Sequence, residues 1–291
     1  MYMIKYVKKI ALRLSSAYYD PLQQEQVAWW MLEAITSKSK AQLVSSTEEL
    51  TVQQEEMINN WIKKHVDEAM PLAYLIGTIP FAHLQISIEP PLLIPRSETE
   101  EWICNLIQRM RTLVNQKLTI LDLCTGSGVI ALALAKAFPQ ATVYATDISE
   151  QALVVAEKNA KLNGITTITF LKSDLFENLE NKKFDFIVAN PPYISHEEWL
   201  HLDPSVRIWE DYKALVALDN GLALIKKIID CAPYFLNKNS FVYPFGQLYI
   251  EIGNQQAGLV QNYMEKRFKR VDVLKDYNGN DRVVVGYFVL E

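Results

Sequence analysis

Four residues at the end of an apolar run have the types and order needed to hold a planar amine: Asn190-Pro191-Pro192-Tyr193. The Asn190 side-chain oxygen can accept one N–H and the Pro191 carbonyl the other, which is what an –NH2 group requires. Tyr193 supplies a ring to cover the flat face of the same group. The prolines make the turn stiff, because each fixes its own φ and pushes the residue before it away from helix. On this reading Asn190, Pro191 and Tyr193 carry the chemistry, and Pro192 joins them in lining the substrate. A Pro-Pro pair is also ordinary loop punctuation, so the rest of the chain has to decide.

Three further stretches stand where apolar runs end. Asp122-Leu123-Cys124-Thr125-Gly126-Ser127-Gly128 places glycines at a strand-to-helix turn, where backbone can approach a ligand closely. It is neither a Walker loop nor a full G-x-G-x-x-G, which favours a small adenosine ligand over a dinucleotide. Residues 124 to 128 are the expected cradle, and Asn190 is expected to touch the same ligand. Asp147 follows about twenty residues past the glycines, as an acid for ribose hydroxyls does; it would equally suit the start of the next helix. Asp174 is placed for an adenine amino group and Leu175 for the ring face.

These positions require a sheet. Phe186 to Ala189 read as a strand buried on both faces, as in parallel sheets. Strands are also expected at residues 118–123, 141–145, 167–171, 247–252, 270–275 and 282–289. Helices are expected at 129–137, 149–162, 221–235 and 255–268. The alternation predicts an α/β, mostly parallel, Rossmann-like sheet closing in an antiparallel hairpin. Residues 1–75 instead read as a helical bundle. Asp20-Pro21 and Thr51-Val52-Gln53-Gln54 are helix starts, and Trp30, Met31, Met57 and Trp61 are expected in the core. Residues 76–95 form a hairpin linker, and residues 96–291 the second domain. Ser97 to Glu100 read as a further capping box. Arg96 beside it is either a solvated charge or a guanidinium at the cleft.

The chain has 291 residues, 49% hydrophobic and 22% charged, enough for a large core. The net charge of −5 opposes any general grip on nucleic-acid backbone. No apolar run is long enough for a membrane span. Cys104, Cys124 and Cys231 are scattered, which fits a reducing compartment rather than a disulfide framework, and no metal spacing occurs. Lys5, Lys8, Lys9 and Arg13 precede the first acid. That reads as an amphipathic first helix in a cytoplasmic protein, with a mitochondrial leader as the alternative. His196 and His201 read as surface histidines.

Taken together, glycine turn, two acids and Asn-Pro-Pro-Tyr at successive strand ends resemble S-adenosylmethionine-dependent methyltransferases. The whole chain resembles the release factor glutamine methyltransferase family (HemK/PrmC). The resemblance rests on Leu72 to Gly77, Leu93 to Arg96 with Glu98 to Glu100, and Leu121 to Gly128. It continues through Asp147-Ile148-Ser149, Ser173 to Phe176, Asn190 to Tyr193, Glu251-Ile252-Gly253 with Gln256, and Asp281 to Val284. It implies S-adenosylmethionine as cofactor and peptide-chain release factors as protein substrate. The methyl acceptor would be the side-chain amide of the glutamine in their Gly-Gly-Gln loop, in translation termination. It also implies a helical domain that helps dock the factor; a monomer is expected. Cys124 stands where the family usually has glycine and Ser97 where it usually has proline. Glu210-Asp211 lacks the usual Glu-Pro, and residues 237–246 run longer than usual. Adenine N6-methylation of nucleic acid and a non-catalytic binding module are the rival readings, and the charge and the intact motifs count against them.

Overall fold

The computed structural model describes residues 2–237 and 247–287. The long stretch noted at 237–246 and the end of the expected strand at 289 therefore lie largely outside the described residues. The chain forms two compact units. One runs to Gly77 and takes in Asp203–Trp209; the other runs Thr78–Leu202 and resumes at Glu210.

The first unit is helical: α1 (Tyr2–Arg13), α2 (Pro21–Thr36), α3 (Lys40–Ser45), α4 (Val52–Asp67) and α5 (Leu72–Ile76). Asp20 caps α2 by accepting from the Leu22 N–H, and Thr51 and Gln54 form the expected capping box of α4. Leu14, Met31, Leu32 and Leu43 are fully buried at the centre. Two inward assignments need correction. Trp29 is buried while Trp30 is exposed, and Met57 is exposed while Ile58, Trp61 and Ile62 are buried. The apolar stripe of α2 runs through Val27, Ala28, Met31 and Leu32, a helical spacing that leaves Trp30 outside. The Trp209 indole N–H donates to the Glu68 carbonyl at 2.9 Å, fastening the returning segment within this unit.

The second unit opens with a hairpin, β1 (Thr78–Phe81) and β2 (Leu84–Ser87), followed by α6 (Ser97–Arg109). Then strands and helices alternate: β3 (Thr119–Leu123), α7 (Val129–Ala137), β4 (Thr142–Asp147), α8 (Glu150–Leu162), β5 (Ile168–Lys172) and β6 (Phe186–Ala189). Three short helices follow, α9 (His196–Leu200), α10 (Pro204–Trp209, counted with the helical unit) and α11 (Tyr212–Leu215). The chain closes with α12 (Ala223–Phe235), β7 (Leu248–Glu251), α13 (Ala257–Met264), β8 (Arg270–Lys275) and β9 (Asp281–Tyr287). The strand order is β5-β4-β3-β6-β7-β9-β8. β3 to β7 are parallel; β9 runs antiparallel to both β7 and β8. β6 and β7 are buried along their whole length, which explains their unbroken apolar runs. Ile120, Phe186 and Val188 face one core with α6 and α7, while Leu121, Leu123, Ile187 and Ala189 face the other with α12 and α13.

Ser97 and Glu100 do not form a capping box. No side chain caps α6. The Glu100 carboxylate instead accepts the Ala82 N–H at 2.8 Å, so the hairpin turn takes the group that would have closed the cap.

Candidate active site

Parallel register brings the singled-out residues to one level. Leu123 pairs with Thr146 and with Ala189, and Ala189 pairs with Ile250. The next residue on each strand is Cys124, Asp147, Asn190 and Glu251. Between β3 and β6 the strand order reverses direction, and in open α/β sheets the crevice outside such a switch point receives the ligand.

The glycine turn is built from left-handed backbone. Cys124, Gly126 and Gly128 have φ of 58°, 55° and 85°. A Cβ placed on Gly126 would meet nothing within 4 Å, so the space over the turn is open. Asp147 holds this turn as well as facing it. One carboxylate oxygen accepts the Gly126 N–H and the other the Ser149 N–H, each at 2.9 Å. Burial raises its pKa and the backbone donors oppose that. Beneath the turn Asp122 is fully buried, and Oδ2 accepts from the Thr125 hydroxyl at 2.5 Å and from the Ala131 N–H at 3.1 Å. Its Oδ1 has no partner among the described residues, and burial pushes its pKa up to about 7. Asn159, also fully buried, donates to the Ser127 and Ser87 carbonyls at 3.0 Å and so ties the turn to β2.

Ser173, Asp174 and Leu175 follow β5 at the same sheet end. Leu175 has a φ of 50°, a left-handed conformation uncommon for leucine, held by the Ser173 hydroxyl donating to its carbonyl at 2.9 Å. The Asp174 carboxylate is turned to the surface enough to pair with Lys227 at 3.1 Å.

Asn190 begins the stiff turn after β6. Its Nδ2 donates to the Thr99 hydroxyl oxygen at 3.3 Å. Thr99 in turn donates to Glu251 Oε2 at 2.8 Å, and the Trp102 indole N–H reaches the same oxygen at 2.7 Å. The Tyr193 hydroxyl lies 3.5 Å from the other oxygen of Glu251. Burial raises the pKa of both Tyr193 and Glu251. The Tyr193 carbonyl accepts from Gln256 Nε2 at 2.8 Å, and Gln256 Oε1 accepts the Gly253 N–H at 3.0 Å. Gly221 presses on the same carbonyl, with a φ of 82°. The Asn190 amide and the Tyr193 hydroxyl and carbonyl are thereby tied to Thr99, Glu251 and Gln256 at the sheet end that also carries the glycine turn. By type, Asn190 Oδ1 and the Pro191 carbonyl are both acceptors, the pair of groups that a planar amine requires.

Arg96 stands at the start of α6, and one terminal nitrogen of its guanidinium reaches both oxygens of Glu210, at 2.9 and 2.7 Å. Glu210 is buried, and burial raises its pKa against the pull of Arg96. His196 and His201 are exposed, bonded to the Tyr212 hydroxyl and the Glu197 carbonyl. The described cysteines are all free.

Comparison with known proteins gives the family. Family models described as "PrmC N-terminal domain" and "Methyltransferase small domain" match residues 6–77 and 105–204. The chain is 37% identical to the release factor glutamine methyltransferase of Thermodesulfovibrio yellowstonii, over 84% of this chain and 86% of that one. It is 35% identical to the Bacillus subtilis protein of the same name, over 94% and 95% of the two chains. The chain belongs to the release factor glutamine methyltransferase family. The catalytic domain of human Mettl16 solved with an RNA hairpin is similar in fold alone: TM-score 0.55 at 16% identity, covering 83% of this chain and 84% of that one.

S-adenosylmethionine is the cofactor of this methyltransferase. The residues present fit it: the turn leaves open space over Gly126, and Asp147 sits one strand away with both oxygens at the sheet end. Sequence reasoning gave no role to Asp122, Thr99, Glu251, Gln256 or Glu210. Glu251 had a visible signal, since it is an acid ending an apolar strand just as Asp147 is. Thr99 had none, because only the fold brings it to Asn190.

Proposed function

We propose that this methyltransferase modifies the side-chain amide nitrogen of the glutamine in the Gly-Gly-Gln loop of peptide-chain release factors. The observation that carries the reading is Asn190, held by Thr99 at the end of β6 beside the glycine turn of β3. An amide nitrogen is a poor nucleophile because its lone pair is delocalised. Asn190 Oδ1 and the Pro191 carbonyl accept its two hydrogens, orient it and stabilise positive charge as it develops. Orientation of this kind supplies up to about 7–11 kcal/mol in favourable cases. Tyr193 packs over the substrate amide, with Pro192 completing the wall, and Arg96, anchored by Glu210, serves the substrate side.

When bound, S-adenosylmethionine supplies a methyl group activated by the sulfonium charge. Backbone of residues Cys124, Thr125, Gly126, Ser127 and Gly128 receives it, Asp147 accepts from the ribose hydroxyls, and Asp174 and Leu175 take the adenine. The helical domain docks the release factor. The protein works as a cytoplasmic monomer without direct nucleic-acid binding; the net charge of −5 supports the last point. The deciding experiment incubates the protein and labelled S-adenosylmethionine with a release factor, with the same factor carrying a substitution of that glutamine, and with DNA. Label on the unsubstituted factor alone is expected. Label on DNA or on the substituted factor would overturn the reading.

A further inference from the structure

The amide of Asn190 has two ends of nearly equal shape and opposite polarity, and the reaction proposed above needs the oxygen end. The structure contains a chain of buried groups that makes this choice. Glu251 Oε2 receives the Trp102 indole N–H, a group that can only donate, so this oxygen acts as an acceptor. The Thr99 hydroxyl lies 2.8 Å from the same oxygen and donates its single proton to it. Thr99 Oγ1 is left as an acceptor towards Asn190. An acceptor there selects the –NH2 end of the Asn190 side chain, seen at 3.3 Å, and turns Oδ1 away. The reverse orientation would set two acceptors face to face. Thr99 and Glu251 are 2% and 1% exposed, so water does not supply the missing proton cheaply.

We infer that Glu251, acting through Thr99, is a positioning residue that fixes which end of Asn190 meets the substrate. The inference rests on the reading that Asn190 Oδ1 accepts from the substrate amide. The Glu251–Thr99 pair thereby sets specificity for a donor group such as –NH2 over a carboxylate of the same shape, which would meet Oδ1 as a second acceptor. Proton direction, rather than charge, carries the effect. Any acceptor in the place of Oε2 keeps the chain running the same way.

The test compares Thr99→Val, Thr99→Ser and Glu251→Gln with the parent, each alone and with Asn190→Ala. The readouts are kcat on a release factor, the Kd of S-adenosylmethionine by calorimetry, and Tm. Thr99→Val keeps the shape and removes the acceptor. It is expected to lower kcat about 3- to 10-fold, the worth of one hydrogen bond, with cofactor Kd unchanged. Thr99→Ser restores the hydroxyl and is expected within about twofold of the parent. Glu251→Gln keeps an oxygen for Trp102 and Thr99 and is expected within about threefold. In the Asn190→Ala background, Thr99→Val is expected to cost nothing further, because it acts only through Asn190. An equal, additive loss in that background would overturn the inference, as would a folded Thr99→Val protein with parental kcat. A folded Glu251→Gln protein crippled a hundredfold would show that charge matters, and would overturn it too. Near-normal turnover by Asn190→Ala alone is the separate result that sinks the parent reading of Asn190.

Discussion

Gly221 sits so close to Tyr193 that a Cβ on it would stand 1.9 Å from the Tyr193 carbonyl oxygen and 2.8 Å from Gln256 Nε2. The first neighbour is backbone and cannot swing away. The φ of 82° adds a conformation that side chains rarely adopt. Gly221→Ala must therefore move the turn carrying Tyr193. The expected result is a loss of about 2 kcal/mol or more in stability, combining backbone strain with overpacking. A fall in kcat larger than that of a Gly258→Ala control should accompany it, since a Cβ on Gly258 meets nothing within 4 Å. Equal melting temperatures and turnover for the two variants would contradict this account.

Asp122 gives the protein a defined pH response. Its pKa, pushed up to about 7 by burial, exceeds the ordinary value of 3.8. Between those values the folded state keeps a proton that the unfolded state releases, so stability falls as pH rises through this window and levels off above it. Asp122→Asn keeps an acceptor for Thr125 and Ala131 and carries no charge. Its melting temperature relative to the parent is expected to climb from pH 5 to pH 8. A constant difference across that range would count against the assignment.

Arg96 and Glu210 form a pair that is exposed at one end only, with side chains 35% and 1% exposed. Removing the arginine leaves the carboxylate buried without its cation. Arg96→Ala should cost about 2–3 kcal/mol, below the ~3–5 kcal/mol of a fully enclosed pair, because water reaches the arginine side. Arg96→Ala should also raise the KM for a release factor, and adding Glu210→Gln should recover most of the lost melting temperature without restoring KM. Recovery of both would confine Arg96 to a structural role.

Asp147 supports the glycine turn and is proposed to accept from the ribose hydroxyls, so two effects should appear together. Asp147→Asn keeps one acceptor for the turn and should weaken S-adenosylmethionine binding by about tenfold, in line with loss of a charged hydrogen-bond acceptor. Asp147→Ala should also loosen the Gly126 N–H and lower the melting temperature. Calorimetry and thermal melts separate the two, and unchanged affinity in both variants would remove Asp147 from the cofactor site.

The strand ends were readable because a strand buried on both faces shows as an unbroken apolar run, and the residue that ends it stands out. Asn190 announced itself in this way, whereas Asp147 ends a strand that is only partly buried and stood out by its spacing after the glycine turn. The phase of a helix rich in large residues was harder, since Trp29 and Trp30 are adjacent and only packing shows that Trp29 goes inward. Partners distant in sequence left no trace at all. Nothing around Thr99 points to Glu251, and nothing around Glu100 points to the Ala82 N–H that draws it out of its helix cap. The short helix Pro204–Trp209 was missed for a related reason, because one turn and a half carries too little periodicity to register.

The excursion of Asp203–Trp209 into the helical unit makes that unit discontinuous in sequence. The polypeptide passes from one unit to the other three times, at Gly77, Leu202 and Trp209, rather than once. Gene-level cutting and pasting at residue 77 would separate Trp209 from the Glu68 carbonyl and give neither fragment a complete set of neighbours. The two units thus cannot be exchanged as independent cassettes. A hybrid enzyme carrying a foreign helical unit would have to import both of its segments, and the seven residues immediately beyond the Asn-Pro-Pro-Tyr turn and α9 would have to change in step with the amino terminus.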